Sequence, residues 1–276
     1  MKRRVLVTGG AGYIGSVFVD QLEAQGGGAW AVTVLDNLSR GHRAAIAPGA
    51  RFVEGDIGDR VALARALAGG PTDAIVHFAA YALVPESVTE PEKYRANNVE
   101  AARVLLEAAL AAGVRRFVFS SSCAVYGHPP AARIPIDEDT PPAPVNPYGE
   151  TKREFERLLG DAATHSGGAL EAISLRYFNA AGATDGHGED HDPETHLIPS
   201  VMQVALGQRP AVEVFGTDYP TADGTAVRDY VHVADLAEAH VRALTATLEG
   251  PAAVNLGTGR GYSVREVVAV ARRVTG

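Results

Sequence analysis

Val5-Leu6-Val7-Thr8-Gly9-Gly10-Ala11-Gly12-Tyr13-Ile14-Gly15-Ser16 is the stretch whose reading decides the fold. A short apolar run ends in a glycine-rich loop, and an amphipathic pattern over 13–25 follows. That order predicts a strand, a tight turn carrying Gly9, Gly12 and Gly15, and a helix. Glycine lets the backbone turn sharply and lets an anionic group reach the helix N-terminus, where unpaired amides and the helix dipole favour negative charge. The spacing is G-x-x-G-x-x-G, one residue longer than the G-x-G-x-x-G form. The same glycines would also suit a plain strand-to-helix turn without a ligand.

Outward from this unit, β-branched runs alternate with alanine- and leucine-rich segments. Arg4 to Thr8, Ala31 to Leu35, Arg51 to Glu54, Ala74 to Phe78, Arg116 to Ser120 and Ala172 to Tyr177 read as strands, with helices near 13–25, 60–68, 92–112 and 148–164. Such alternation predicts an α/β fold, a doubly wound parallel sheet (Rossmann-like) with helices on both faces. The strands are nearly all apolar, as burial of both faces requires. From Asn179 the pattern loosens into a polar segment, a helix near 196–207, a strand at Ala211 to Phe215 and a turn-rich stretch at 216–224. This predicts two domains, a dinucleotide-binding domain over 1–178 and a smaller, loop-rich substrate lobe over 179–276, some of whose segments pack back on the first. The last apolar helical pattern runs from Val264 to Val274 with no closing element after it, so the lobe is expected to be incomplete.

Bulk properties narrow the function. The 276 residues are 46% apolar and 21% charged, the balance of an ordinary globular chain. A net charge of −8 without a basic tract argues against nucleic-acid or anionic-membrane partners. Cys123 is the single cysteine, so no intrachain disulfide forms and a cytoplasmic location is expected. Met1-Lys2-Arg3-Arg4 is basic like the start of a signal peptide, but only Val5-Leu6-Val7 follow before the glycines.

Asp36 ends the second strand, 21 residues after Gly15. A carboxylate there accepts hydrogen bonds from a ribose and repels a 2′-phosphate, which favours NAD over NADP. Asp36 also suits the first position of the turn Asp36-Asn37-Leu38-Ser39. Asp56-Ile57 follows the third strand and is placed to border the adenine, or is an ordinary strand end.

Tyr148 and Lys152 lie four residues apart and so share one face of a helix. With 9 tyrosines and three lysines (Lys2, Lys93, Lys152) in the chain, chance would give this spacing about 0.1 times. A phenol near pKa 10 is too weak a base at neutral pH, but an adjacent ammonium and a positive nicotinamide favour the phenolate and lower that value. Ser122 follows the fifth strand at the carboxyl edge of the sheet, where its hydroxyl can bind a substrate oxygen. Glycine loop, serine and Tyr-x-x-x-Lys together predict NAD-dependent redox catalysis. The cluster Asp185-Gly186-His187-Gly188-Glu189-Asp190-His191-Asp192 lacks the helical His-x-x-x-His spacing or a cysteine of a zinc site. It is expected to be a solvated polar loop, and no metal is expected.

With these residues in view, the chain resembles the extended short-chain dehydrogenase/reductase family, within it the nucleotide-sugar epimerases. The resemblance runs from Arg4 to Gly276. It includes the opening loop, Leu35-Asp36-Asn37-Leu38, His77-Phe78-Ala79-Ala80, Phe119-Ser120-Ser121-Ser122, Asn146-Pro147-Tyr148-Gly149 and Leu175-Arg176-Tyr177-Phe178-Asn179. Its most specific stretch is Val214-Phe215-Gly216-Thr217-Asp218-Tyr219-Pro220-Thr221-Ala222-Asp223-Gly224-Thr225, continuing to Val227-Arg228-Asp229-Tyr230-Val231-His232.

The resemblance implies that Tyr13, Ile14, Asp36, Asn37, Asp56, Ile57, Phe78, Ala79, Ala80, Asn97, Lys152 and Phe178 contact NAD. It implies that Asn179, Leu197, Phe215, Arg228 and Tyr230 contact a UDP-sugar, beside the catalytic Ser122, Tyr148 and Lys152. The implied reaction is 4-epimerisation of a UDP-hexose through a 4-keto intermediate, in a homodimer. Rival expectations are a 4,6-dehydratase, a 4-reductase or decarboxylase of the same family, and a non-catalytic NAD-binding protein. Three departures stand out. Ala82 replaces a lysine that reaches the cofactor in some members, Ala124 replaces a hydroxyl residue, and members continue for several dozen residues beyond position 276.

Overall fold

The computed structural model describes residues 2–25 and 27–276. Its main sheet holds β1 (Arg3–Thr8), β2 (Trp30–Asp36), β3 (Arg51–Glu54), β4 (Ala74–His77), β5 (Arg116–Ser122), β6 (Glu171–Tyr177) and β9 (Ala252–Leu256). The order is β3-β2-β1-β4-β5-β6-β9, and every pairing is parallel. The order reverses between β1 and β4. There the connections leave on opposite faces and open a crevice at the strands' carboxyl ends.

Helices cover both faces because alternate side chains of each strand point to opposite sides. In β1, Leu6 enters one core with Leu63, Leu105, Phe117, Phe155 and Leu159, under α2 (Arg60–Leu67), α5 (Ala102–Ala111) and α6 (Pro147–His165). Val5 and Val7 enter the other with Val17, Phe18, Leu22, Val233 and Ala237, under α1 (Tyr13–Gln25) and α8 (Val233–Ala243). α6 starts where Asn146 accepts a hydrogen bond from the Gly149 amide at 2.8 Å, with Pro147 next, a cap that fixes where Tyr148 enters the helix.

The long helix expected over 92–112 is three joined pieces: α4 (Pro91–Arg95), a π-helical turn (Ala96–Ala101) and α5. A π turn inserts one extra residue and re-aims the side chains around it, which periodicity in sequence cannot show. A further short helix, α3 (Val84–Thr89), precedes α4.

The expected lobe is smaller than its sequence. β7 (Asn179–Ala181), β8 (Val227–His232) and β10 (Gly261–Ser263) form a three-stranded sheet in the order β10-β8-β7, with α7 (Leu197–Ala205) and α9 (Val264–Thr275) beside it. α8 and β9 return to the first domain. The Gln21 side-chain amide donates to the Ala234 carbonyl at 3.0 Å, and β9 pairs with β6. The strand expected at Ala211 to Phe215 is absent; the segment is irregular, with Val214 41% and Phe215 82% exposed. β-Branched residues supply only propensity, whereas a strand needs a neighbour's amides and carbonyls, and this segment pairs with none of the described strands.

Two buried histidines brace the sheet as neutral rings. His77 Nδ1 is hydrogen-bonded to the Thr8 hydroxyl at 2.7 Å, and burial and the nearby Lys152 charge lower the ring to about 3. His240 Nδ1 donates to the Leu236 carbonyl, so its Nε2 accepts from the Ser120 hydroxyl at 3.0 Å. Burial lowers His240 to about 4. Between about pH 6.5 and 4 the unfolded chain therefore binds the protons that the folded chain refuses, and stability falls as pH falls, on the order of 3 kcal/mol for each ring. Thermal melts of His240→Gln should show a flatter acid limb than the parent over this window. Parallel limbs in the two proteins would exclude this role for His240.

Candidate active site

The glycine loop spans the crevice. Gly9 has φ +73°, and a Cβ there would lie 2.5 Å from the Ala79 amide nitrogen; a Cβ at Gly15 would lie 2.2 Å from the Gly9 carbonyl. Only glycine permits β1, α1 and the loop after β4 to approach so closely. Gly12 differs. A Cβ there would meet only the Gly9 carbonyl, at 3.3 Å, and otherwise fill open space in front of α1. Tyr13 and Ile14 open that helix, so their amides have no carbonyl one turn earlier. A diphosphate fits this cradle.

Asp36 is 8% exposed and its oxygens are engaged on the protein side: Oδ2 accepts from the Ala11 amide at 3.0 Å and Oδ1 from the Leu38 amide at 2.8 Å. Burial raises its pKa and these amides oppose the rise. Leu38 sits at φ +56°, a left-handed conformation rare for leucine, so the turn is held in a shape its sequence disfavours. The exposed Asn37 donates to Asp56 Oδ2 at 3.0 Å, and Asp56 Oδ1 accepts from Gly58, joining the ends of β2 and β3. Ile57 is buried beside them. Phe78, Ala79 and Ala80 leave β4 at the same edge, the first two donating their amides to the Thr8 carbonyl. Asn97 lies in the π turn and donates to Asn98 Oδ1. Phe178 follows β6 and lines the loop after β9, where a Cβ on Gly257 would meet its ring at 3.0 Å.

Ser122, Tyr148 and Lys152 are all buried and converge here. Ser122 ends β5, caps the turn that follows by accepting from the Ala124 amide at 3.2 Å, and lies within hydrogen-bonding reach of Tyr148. The Ala124 carbonyl presses on Gly149, where a Cβ would come within 2.5 Å, so this turn is docked on α6. Lys152 Nζ donates to the Ser120 carbonyl at 2.8 Å and stands 5.8 Å from the centre of the Tyr148 ring. Burial lowers the ammonium to about 7, with Glu156 drawing it back up. Burial also pushes the Tyr148 phenol above its ordinary value, with Tyr177 adding to the rise and Ser122 opposing it. The lowered phenol expected from the sequence is thus not a property of the protein alone. Desolvation is the largest cause of both shifts.

Of the residues expected on the sugar side, Asn179, Arg228 and Tyr230 lie on the small sheet. Asn179 is the register partner of Tyr230, so these two stand side by side. Arg228, on the same strand, is exposed, and its charge lowers the neighbouring Cys123 thiol against a burial that lifts it to about 11. Leu197 opens α7, half-buried. Phe215 is not gathered in; it stands exposed in the irregular segment. Ala82 is exposed.

Sequence reading missed a polar layer behind Ser122, Tyr148 and Lys152. Arg176 makes a bidentate pair with Glu156 at 2.9 and 2.6 Å, and Glu156 also accepts from Ser121. Arg176 donates to the Tyr126 hydroxyl, which donates to Asn255 on β9. Glu156 carried a legible signal, its four-residue spacing from Lys152. Asn98 carried none, yet it bonds the Tyr81 backbone through both side-chain atoms and reaches Thr151 on α6. Nor was the gathering of Glu189, His191, Glu194 and His196 foreseen, since the last two lie outside the stretch read as a solvated loop.

A dinucleotide cradle beside a buried Ser, Tyr and Lys defines the class, an α/β enzyme that oxidises and reduces its substrate on a nicotinamide. The chain belongs to the NAD dependent epimerase/dehydratase family, whose profile matches residues 5–257, and its cofactor is NAD. It is 50% identical to the UDP-glucose 4-epimerase of Streptomyces lividans, over 100% of this chain and 82% of that protein. The structure resembles that of UDP-glucose 4-epimerase from Brucella ovis in complex with NAD, with TM-score 0.89 and 48% identity over 97% of this chain and 81% of the other. It also resembles the Bifidobacterium longum enzyme in complex with NAD+ and UDP, with TM-score 0.92 and 37% identity over 99% and 83%.

Two outcomes test the site. Tyr148→Phe should leave NAD binding intact and slow the chemical step roughly 10²–10⁴-fold, the range for a lost general base. Single-turnover rates near the parent's would remove Tyr148 from that role. Asp36→Ala combined with Asn37→Arg should shift preference toward NADP by roughly ten- to a hundredfold, the worth of one charge-assisted contact. Titration of both cofactors checks this, and an unchanged ratio would show that Asp36 does not read the ribose.

Proposed function

We propose that this chain interconverts the C4 epimers of a UDP-hexose, UDP-glucose and UDP-galactose, through a 4-keto sugar. One observation carries the reading: Ser122, Tyr148 and Lys152 are buried together beside the glycine cradle, in a chain about half identical to UDP-glucose 4-epimerases. Bound NAD would supply a hydride acceptor and donor for C4 and a positive ring charge beside Tyr148. Tyr148 takes the proton from the sugar O4 hydroxyl and later gives it back. Ser122 holds that oxygen in line, and the Lys152 ammonium favours the phenolate as the proton leaves. Gly12, Tyr13 and Ile14 receive the cofactor diphosphate, and Asp36 the adenine ribose. Asn179 and Tyr230 border the sugar, and Arg228 supplies charge for the UDP phosphates. The 4-keto sugar turns its other face before reduction, so no second substrate is consumed.

The dehydratase alternative needs a carboxyl acid and base beside the catalytic hydroxyl. Cys123 and Ala124 stand there, a thiol raised to about 11 and a methyl group, and neither transfers protons at neutral pH. A homodimer rests on the resemblance, and a cytoplasmic location on the single cysteine, Cys123. Among the described residues no helix is long and apolar enough to cross a membrane.

Incubation of the chain with UDP-galactose should yield UDP-glucose without added reductant, and Ser122→Ala should slow this roughly 10²-fold or more while leaving NAD bound. Release of a dehydrated 4-keto sugar, or no turnover by the parent protein, would overturn the proposal.

A further inference from the structure

The segment that leads into α7 passes over the first domain. His187 Nε2 meets Asp20 at 2.6 Å, His42 meets the Asp190 carbonyl at 3.1 Å, Arg40 donates to the Asp192 carbonyl, and the His191 ring stands edge-on to Tyr13 with centres 6.4 Å apart. Within this strap, Glu189, His191, Glu194 and His196 turn one ligand-type atom each toward a common volume, all within 4.8 Å of one another. His196 Nδ1 is 2.6 Å from Glu189 Oε1 and 3.0 Å from Glu194 Oε1, and His191 Nδ1 is 3.1 Å from the same Glu189 oxygen. The carboxylates are nearly sealed from water, with side-chain exposures of 8% for Glu189 and 7% for Glu194.

Glu194 Oε1 already accepts from the His196 backbone amide at 2.6 Å, so the competition lies at the imidazole nitrogens. An imidazole Nδ1 carries at most one hydrogen and directs it at one acceptor, whereas His196 Nδ1 faces two carboxylates. Two sheltered carboxylates with neutral imidazoles also leave a charge of −2. One divalent cation removes that charge and satisfies all four atoms together. Two imidazole nitrogens and two carboxylate oxygens form a donor set for a borderline metal such as zinc. At zinc–ligand distances of about 2.0–2.1 Å, tetrahedral ligands stand roughly 3.3 Å apart; the three nitrogen–oxygen separations of 2.6, 3.0 and 3.1 Å lie within an ångström of that spacing, and the widest, at most 4.8 Å, closes by up to about 1.5 Å.

We propose that Glu189, His191, Glu194 and His196 form a structural site for one divalent transition-metal ion, zinc in the first instance. With four protein ligands the site is closed, so the ion holds the strap and takes no part in the redox chemistry. It fixes the segment directly before Leu197, on the substrate side of α7, and braces it against Tyr13 at the mouth of the glycine loop. The site is independent of which sugar the enzyme accepts.

The untagged protein, stripped with a chelator and dialysed, should bind one equivalent of Zn(II) by calorimetry. With Co(II) it should develop the intense visible absorption of a tetrahedral ion, and Zn(II) should displace that signal. The double variant His191→Gln/His196→Gln should lose affinity by more than the roughly 10–100-fold that an outer-shell change costs. Glu194→Gln serves as a second variant, with circular dichroism establishing that each is folded. No binding by the folded parent, binding unchanged in the folded variants, or only the weak absorption of an octahedral Co(II) ion would overturn the proposal. Because the readouts are metal binding and its spectrum, they stand whether or not the protein turns over UDP-galactose.

Discussion

Keeping a lysine ammonium inside the protein is the constraint around which the catalytic half is built. Lys152 is 3% exposed and has one hydrogen bond, to the Ser120 carbonyl. An uncompensated charge in such a place costs several kcal/mol, enough to shift its pKa by units rather than tenths. The surroundings hold the charge at the edge of ionisation without neutralising it. Glu156, one turn along α6, attracts it, but both Glu156 oxygens already bind Arg176. That pair, about 9–10% exposed at each side chain, ties α6 to β6 and onward through Tyr126 to β9. Breaking such a pair from one side typically costs about 3–5 kcal/mol, so the layer behind the site is rigid for an energetic reason.

The same burial explains why the chemistry waits for its partners. In the protein alone, burial raises Tyr148 and lowers Lys152 to about 7, so at neutral pH the phenol keeps its proton and the ammonium is only partly charged. A positive ring brought beside the phenol shifts that balance in the direction catalysis needs. A base that becomes active only when its cofactor is seated does not abstract protons from whatever else enters the crevice.

Much of the first domain was legible because its signals are local. β3 and α1 run over the residues that their apolar patterns mark, and glycine spacing placed the crevice. Tyr148 and Lys152 were legible because a helix brings positions four apart onto one face. What escaped depends on distant pairing. β9 is a strand because β6 offers it hydrogen bonds, and Ala252 to Leu256 alone gives no sign of which sheet it joins. The reverse error at Ala211 to Phe215 has the same origin, a strand-like pattern without a partner. The π turn that sets Asn97 and Asn98 was invisible because one inserted residue leaves the apolar pattern on either side unchanged.

These two kinds of legibility coincide with two kinds of task. Proton and hydride transfer tolerate little positional error, and Ser122, Tyr148 and Lys152, the groups proposed to serve them, stand on a strand end and a capped helix, elements whose own sequences specify them. Choosing a sugar is a matter of shape and of a few polar contacts. In the proposed reading it falls to β7 and β8, whose surroundings come from contacts made far along the chain, such as Tyr13 to Gly182 and Asp229 to Thr258. Substitutions in the strap or the 211–224 segment can therefore alter what is bound without disturbing the buried ammonium. A substitution in the Glu156–Arg176 layer acts on the buried ammonium, because Glu156 attracts Lys152 while it is held by Arg176.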